Sequence, residues 1–297
     1  MTPEITARRL LNSCQMVARI GFLCMLVVQV LGVLLLALPA FADRAISLGL
    51  PPQFWALGMS VGRSNSLYVS EGSPYSASWD FAVAPTIILN RDYTLGALVE
   101  YSQDLREEDL DFGRGSISLR KASGTSAFAK RVKFTPTLTA GFPISRAAQA
   151  SSLQASLGSS ARMDVNPDYL FSKRWSIAAT LGLTRNFHQY DTAYKGTVNT
   201  QWSSTQSLET GWAFTDWMGL NLTLGHIDTL SYQGVAKDYI FHSQELDFKL
   251  SPRWSASVGH SWGKPYVSTR KFDGQSLNLE LADEDNSLVF TNLTFLL

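Results

Sequence analysis

From Trp55 onward, apolar and polar residues alternate with a period of two, the mark of strands that face two different environments. Trp55, Leu57, Met59 and Val61 alternate with Ala56, Gly58, Ser60 and Gly62, so one face is greasy and the other small. The rhythm returns in Trp79, Phe81, Val83, Ile87 and Leu89, in Leu95, Ala97, Val99 and Tyr101, in Val132, Phe134, Leu138, Ala140 and Phe142, and in Leu153, Leu157 and Met163. It continues through Trp175, Ile177, Ala179, Leu181 and Leu183, through Trp202, Leu208, Trp212 and Phe214, and through Leu220, Leu222 and Leu224. Leu246, Phe248 and Leu250, then Trp254, Ala256 and Val258, and finally Val289, Leu293, Phe295 and Leu297 close the series. With a weaker strand near Ile117 and Leu119, the pattern predicts twelve strands. Such alternation fits strands with lipid on one side and a polar lumen on the other.

The connections carry a second regularity, a short turn followed by an aromatic: Leu89-Asn-Arg-Asp-Tyr93, Phe171-Ser-Lys-Arg-Trp175, Phe214-Thr-Asp-Trp217 and Leu250-Ser-Pro-Arg-Trp254. Phe128-Ala-Lys-Arg-Val132 fills the missing place, and the spacing of about forty residues is one up-and-down hairpin pair repeated around a ring. The connections at the other end, such as 186–197 and 229–238, read as longer and polar. Short turns at one end and long loops at the other are expected of an up-and-down membrane barrel.

Aromatic residues give an independent test of length. Tyr93 and Tyr101 share parity eight residues apart, as do Trp254 and Trp262, and eight residues tilted by ~40° rise about 20 Å, close to the ~25 Å apolar band of such barrels. Trp55, Tyr93, Tyr101, Trp175, Trp202, Trp217, Trp254 and Trp262 are therefore expected to form girdles, because these rings sit in apolar surroundings while their N–H or O–H stays wet. The competing reading is a soluble β-sandwich with buried tryptophans.

The first 42 residues have a different character. Arg8, Arg9 and Arg19 precede the apolar run 20–38, and Ala40 and Ala42 flank Phe41, the order of a Sec signal peptide cleaved after Ala42. An uncleaved membrane helix is the alternative, since the run is long enough to span. The predicted organisation is a signal peptide at 1–42, a short periplasmic segment at 43–53 and an outer-membrane barrel at 54–297. Both cysteines, Cys14 and Cys24, lie in the signal, so the mature chain needs no disulfide. Removing it leaves 22 basic against 24 acidic residues, a balance that argues against nucleic acid as a partner.

Near the C-terminus, Asp273-Gly274 reads as a two-residue hairpin turn. Folding there sets Trp254 opposite Leu293 and Lys264 opposite Asp283.

With these features, residues 54–297 resemble Gram-negative outer-membrane β-barrels of porin type as a class. The terminal segment Ser287-Leu-Val-Phe-Thr-Asn-Leu-Thr-Phe-Leu-Leu297 looks like the strand signal read by the barrel assembly machinery, with Val289, Leu293, Phe295 and Leu297 on its outward face. It departs from the class by ending in Leu297 rather than an aromatic. The resemblance implies as partners membrane lipid, lipopolysaccharide, the assembly machinery and small hydrophilic solutes.

Candidate chemistry is sparse. His226 and Asp228 share a face near one rim, and His242-Ser243 lies on the neighbouring strand. By parity, however, His226 and His242 point outward while Ser243 points inward, so a protease- or lipase-type constellation does not converge. No metal-ligand motif, phosphate loop or cysteine nucleophile is evident, and no cofactor is expected. Inward positions are mostly Ser, Thr, Gly, Asn and Gln, with scattered charges at Asp80, Glu100, Arg120, Lys133, Arg162, Asp164, Glu209, Glu245, Asp247 and Lys249. Twelve tilted strands close at a backbone diameter of about 24 Å, wide enough to leave ~10–14 Å where the lining is small. The sequence therefore points to a narrow general channel rather than an enzyme. A non-conducting barrel presenting loops is the first alternative, and a surface hydrolase the second.

Overall fold

A computed structural model describes residues 54–68, 76–90, 92–105, 110–121, 131–194, 196–265 and 286–297. The signal and the segment 43–53 lie outside the described residues, as does the Asp273-Gly274 turn. The strands are β1 Trp55–Ser66, β2 Ala77–Ile88, β3 Tyr93–Asp104, β4 Leu110–Lys121, β5 Val132–Phe142, β6 Leu153–Val165, β7 Trp175–His188, β8 Thr200–Ala213, β9 Met218–Ser231, β10 Ala236–Lys249, β11 Trp254–Pro265 and β12 Ser287–Leu296. Each pairs antiparallel with its sequence neighbours, and β12 returns to β1, so the sheet is a closed barrel with no free edge. At the seam Leu57 N donates to Leu297 O at 3.1 Å and Leu297 N to Leu57 O at 3.0 Å.

Register decides which side chains share a face, because neighbouring residues point to opposite sides. One chain of partners runs Lys133, Asp164, Ala178, Glu209, Thr223, Ser243 across β5 to β10. The alternate chain runs Phe134, Met163, Ala179, Leu208, Leu224, His242 across the same strands. The first face is the concave one. There Arg162 of β6 reaches over β7 to Glu209 of β8, and side chains from strands two apart converge only on the inside of a curve. On the convex face large apolar side chains stand clear of protein, Leu138 at 56% exposure and Leu157 at 57%. Among the described residues the buried apolar ones are only Phe54, Ala77, Ala178 and Trp262. Among the described residues the barrel Trp55–Leu297 thus has its hydrophobic surface on the outside and no packed apolar core within.

The recurring turn motif has a local cause. After the last apolar residue of the outgoing strand comes a short polar side chain that bonds the backbone ahead of it, an Asx- or ST-type turn. Asn90 Oδ1 accepts from Asp92 N and Tyr93 N at 2.8 and 2.9 Å. Thr215 Oγ1 accepts from Met218 N at 3.0 Å, and Ser251 Oγ from Trp254 N at 3.1 Å. Connections 89–92, 214–217 and 250–253 are correspondingly tight. Phe214 belongs to such a turn rather than to β8.

Two expectations need correction. The last hairpin is two residues out of the expected register: Trp254 lies opposite Phe295, and Leu293 opposite Ala256. Parity is unchanged, and the alignment is fixed at the seam end, where the Trp254 and Phe295 rings meet at 4.7 Å. The Lys264–Asp283 pairing rests on a residue outside those described. The connection expected at 229–238 is short, since β9 runs to Ser231 and β10 begins at Ala236. The weak strand near Ile117 is a full strand, Leu110–Lys121, with a register shift between Val99 and Tyr101 on β3. That shift hides the alternation of β4, because residues 112 and 115 both follow outward partners.

Candidate functional site

Of the ten charged residues expected inward, three are brought together. Arg162 Nε donates to Asp164 Oδ1 at 2.8 Å, and its Nη1 donates to Glu209 Oε2 at 2.6 Å. Charge-assisted bonds of this length are the stronger kind. The trio lies over Ala178, which is 4% exposed, while its own side chains remain 41%, 34% and 35% exposed. Water therefore reaches the ion network on the concave side. Lys133 pairs in register with Asp164 and extends this charged strip along β5.

The remaining seven are dispersed around the same face. Asp80 of β2 accepts from Ser102 Oγ at 2.7 Å, Ser78 Oγ at 3.0 Å and Ser64 Oγ at 3.5 Å. Glu100 meets Arg114, an exposed cation that alternation did not reveal, at 3.9 Å. Asp247 accepts from Asn221 Nδ2. Arg120 sits between Thr94 and Thr137, Glu245 between Asn221 and Gly259, and Lys249 beside Ser255. No basic row forms among the described residues.

Part of the inner wall was not anticipated from composition. Tyr239 and Phe241 of β10 and Phe290 of β12 occupy inward parity. The Phe241 ring lies where a side chain of Gly225 would stand, Phe290 takes that place at Gly259, and Tyr239 at Gly263. Ile227 of β9 and Leu288 of β12 share this face. A glycine directly across from an aromatic in an otherwise small-residue strand was the signal available in the sequence.

At the end opposite the tight turns, the loops are joined to one another. Ser145 caps the short helix α1, Arg146–Ala150, accepting from Ala148 N at 3.1 Å. Asp111 of β4 accepts from Arg146 N at 3.0 Å. Buried Asn199 donates to Ser151 O at 2.7 Å and to Tyr190 O at 2.9 Å. The Tyr232 hydroxyl donates to Asn186 O at 2.7 Å. Connections 143–152, 189–199 and 232–235 thus form one hydrogen-bonded rim.

On the convex face His226 Nδ1 meets Gln206 Oε1 at 2.9 Å and Asp228 Oδ2 at 3.5 Å. Gln206 Nε2 also donates to Asp228 Oδ2 at 3.1 Å. His226, Asp228 and Asp238 place ligand atoms within 4.8 Å of one another, a nitrogen–oxygen donor set of the kind divalent cations accept. His226 is already engaged by Gln206. His242 stacks on Trp262 at 5.2 Å on this face, and Ser243 is on the other. No histidine among the described residues is joined to an inward serine.

The girdle residues fall into two kinds. Trp175 and Trp212 meet edge-on at 5.2 Å, and Trp217, within its turn, stacks on Phe248 at 6.3 Å. Tyr101 lies between Phe81 and Phe112, Trp202 sits under the Arg185 guanidinium at 5.2 Å, and Trp55 and Tyr93 sit beside Ile87 and Lys121 at the tight-turn end. Trp262, by contrast, is 3% exposed and does not present an open ring.

No family model and no curated protein sequence matches the chain. Solved structures do. The NanC porin superposes with a TM-score of 0.51 at 6% identity, covering 80% of this chain and 98% of that one. An outer membrane channel from Pseudomonas putida F1 superposes with a TM-score of 0.53 at 8% identity, covering 82% and 95%. At such identities the likeness is one of fold, and the fold is the closed antiparallel barrel of outer-membrane proteins.

Proposed function

We propose that the protein is a narrow channel of a bacterial outer membrane, exported by the Sec route on a signal peptide cleaved after Ala42, and that it passes small hydrophilic solutes or ions without chemistry. One observation carries the reading: an interior with no packed apolar core, in which an Arg162–Asp164–Glu209 network stays a third or more exposed. A filled barrel would bury those charges, and burying them costs several kcal/mol per ion, in order of magnitude. The convex face supplies the membrane setting, because soluble monomers rarely expose so continuous an apolar surface. By this reading the tight turns face the periplasm and the joined loops face outward. The ten charges expected on this face, six acids and four bases, favour cations mildly, and Arg114 beside Glu100 narrows that preference without reversing it. The fold likeness to two channels agrees with this reading.

The test is conductance in a planar bilayer. Purified, refolded protein should give discrete steps with weak cation preference. Correct insertion without current at any voltage would sink the channel and favour a non-conducting barrel whose rim, tied through Asn199, serves as a surface for partners.

A further inference from the structure

We propose that the lumen carries a saccharide subsite near its long-loop mouth, with Phe290 as stacking platform, Asp80 as hydroxyl acceptor and Phe241 as a second platform; this rests on the channel reading above. The Phe290 ring lies against β11 where Gly259 has no side chain, and the Phe241 ring lies likewise over Gly225. Each ring thereby fills the space that a glycine leaves open beside it and stays partly exposed on the inward face. Beside Phe290 in register is Ser64, whose hydroxyl shares a 2.7 Å hydrogen bond with Ser78. Ser78 and Ser102 donate to the two oxygens of Asp80, at 3.0 and 2.7 Å. A carboxylate has about four lone-pair sites, so this exposed one still accepts further bonds.

The pairing of surfaces selects the solute. A hydrocarbon would strip water from Asp80 and the serines without replacing it. A small cation would use Asp80 and gain at most a weak cation–π contact with one ring, because it is too small to reach from Asp80 to both. An anionic solute would meet the Asp80 charge. A pyranose satisfies both surfaces, its C–H face on a ring and its hydroxyls on serine and carboxylate. A chain of such units would use Phe290 and Phe241 in succession.

Single-channel current is recorded with added maltoheptaose or cellopentaose, and with polyethylene glycol of matched mass as a size control. The oligosaccharides should interrupt the current in a saturable manner that polyethylene glycol does not reproduce. Phe290→Ala and Phe241→Ala should each raise the half-saturating concentration roughly tenfold. Asp80→Asn should raise it several-fold, and Phe290→Tyr should leave it near wild type. Phe290→Leu, which keeps apolar bulk but loses the ring, replaces the alanine variant if that fails to fold by heat-modifiable gel mobility. Indistinguishable effects of sugar and polymer, or unchanged saturation in the ring variants, would overturn the subsite. If the barrel inserts but passes no current, the channel reading falls alone. Calorimetric titration of the same oligosaccharides into detergent-solubilised protein then decides the subsite: saturable binding weakened by Phe290→Ala upholds it, and no binding ends it.

Discussion

Two sectors of the wall, β5–β7 and β9–β12, use the same alternation to different ends. In the first the convex face is apolar along nearly its whole height, from Val132 to Phe142 on β5, and the concave face holds serine, threonine, glycine and the Arg162 network. In the second the convex face of β9 is apolar at Leu220, Leu222 and Leu224 and then becomes His226 and Asp228, with Ile240 beside them on β10. There the concave face turns aromatic, with Tyr239, Phe241 and Phe290. Polarity is partly exchanged between the faces toward the long-loop end of β9–β12. A barrel wall reads lipid on one side only as far as the lipid extends. Beyond that level the outside can be polar if its groups bond each other, as Gln206, His226 and Asp228 do, and the inside is free to carry rings.

The bluntest way to break this picture is at the seam that both sectors need. Deleting residues 295–297 removes the Leu57–Leu297 pair of hydrogen bonds and the Phe295 ring on Trp254. The expected outcome is loss of assembly, with the chain degraded in the periplasm. Normal outer-membrane yield, measured by heat-modifiable migration, would place the assembly signal elsewhere in β12.

Next in size is an arginine comparison within β9. Leu222→Arg on the convex face should lower stability by ~2–4 kcal/mol, as cations at mid-bilayer do. Thr223→Arg, one residue on and facing the lumen, should cost much less, and Asp228→Arg, where the convex face is already polar, should cost only the ~1–2 kcal/mol of the hydrogen bonds it breaks with Gln206 and His226. Unfolding by guanidinium from lipid vesicles reads all three. A larger loss at Thr223 than at Leu222 would mean that the two faces have been exchanged, and equal losses would mean that the assigned register is wrong.

A smaller effect sharpens the account of the polar stretch. Gln206→Leu leaves His226 and Asp228 without their shared partner and should cost ~1–2 kcal/mol, whereas Gln206→Leu with His226→Leu and Asp228→Leu should recover most of it. Additive losses in the triple variant would show that lipid does not reach this level at all.

Much of this was legible in the sequence because a membrane barrel repeats one rule. Strand number, parity and the tight turns follow from alternation and from Asn90, Thr215 and Ser251 standing ahead of an aromatic. The register of the last hairpin was not legible: Trp254 pairs with Phe295, where their rings meet, and the Asp-Gly pair lies outside the described residues. The inner rings were also missed. Alternation assigns an aromatic to the greasy face by default, and only the glycines facing Phe241 and Phe290 across the register show why rings fit inside. The joining of three loops through Asn199 depends on contacts between segments far apart in the chain, where no periodicity exists to read.

The smallest expected effect concerns the charges that both sectors send inward. Replacing Glu209, Glu245 and Asp247 by their amides changes the balance of the ten inward charges from two net acids to one net base, counted from the sequence. A unit charge ~6 Å from a permeating ion in water is worth ~0.7 kcal/mol before screening and acts in opposite senses on cations and anions, so the cation-to-anion permeability ratio should fall by up to about tenfold per acid removed at low salt. Glu209 differs from the other two because it holds Arg162 Nη1 at 2.6 Å. Its amide removes one of the two carboxylates that hold Arg162 on the β5–β7 side and leaves Asp164 on Nε, whereas the Glu245 and Asp247 changes remove acid from the β9–β12 side without touching an ion-paired cation. If both walls border one open lumen, the Glu209→Gln and Glu245→Gln shifts should be equal in sign and should both fade above ~0.15 M salt, where screening acts within ~8 Å. A shift from one wall alone would mean that ions pass along only that side.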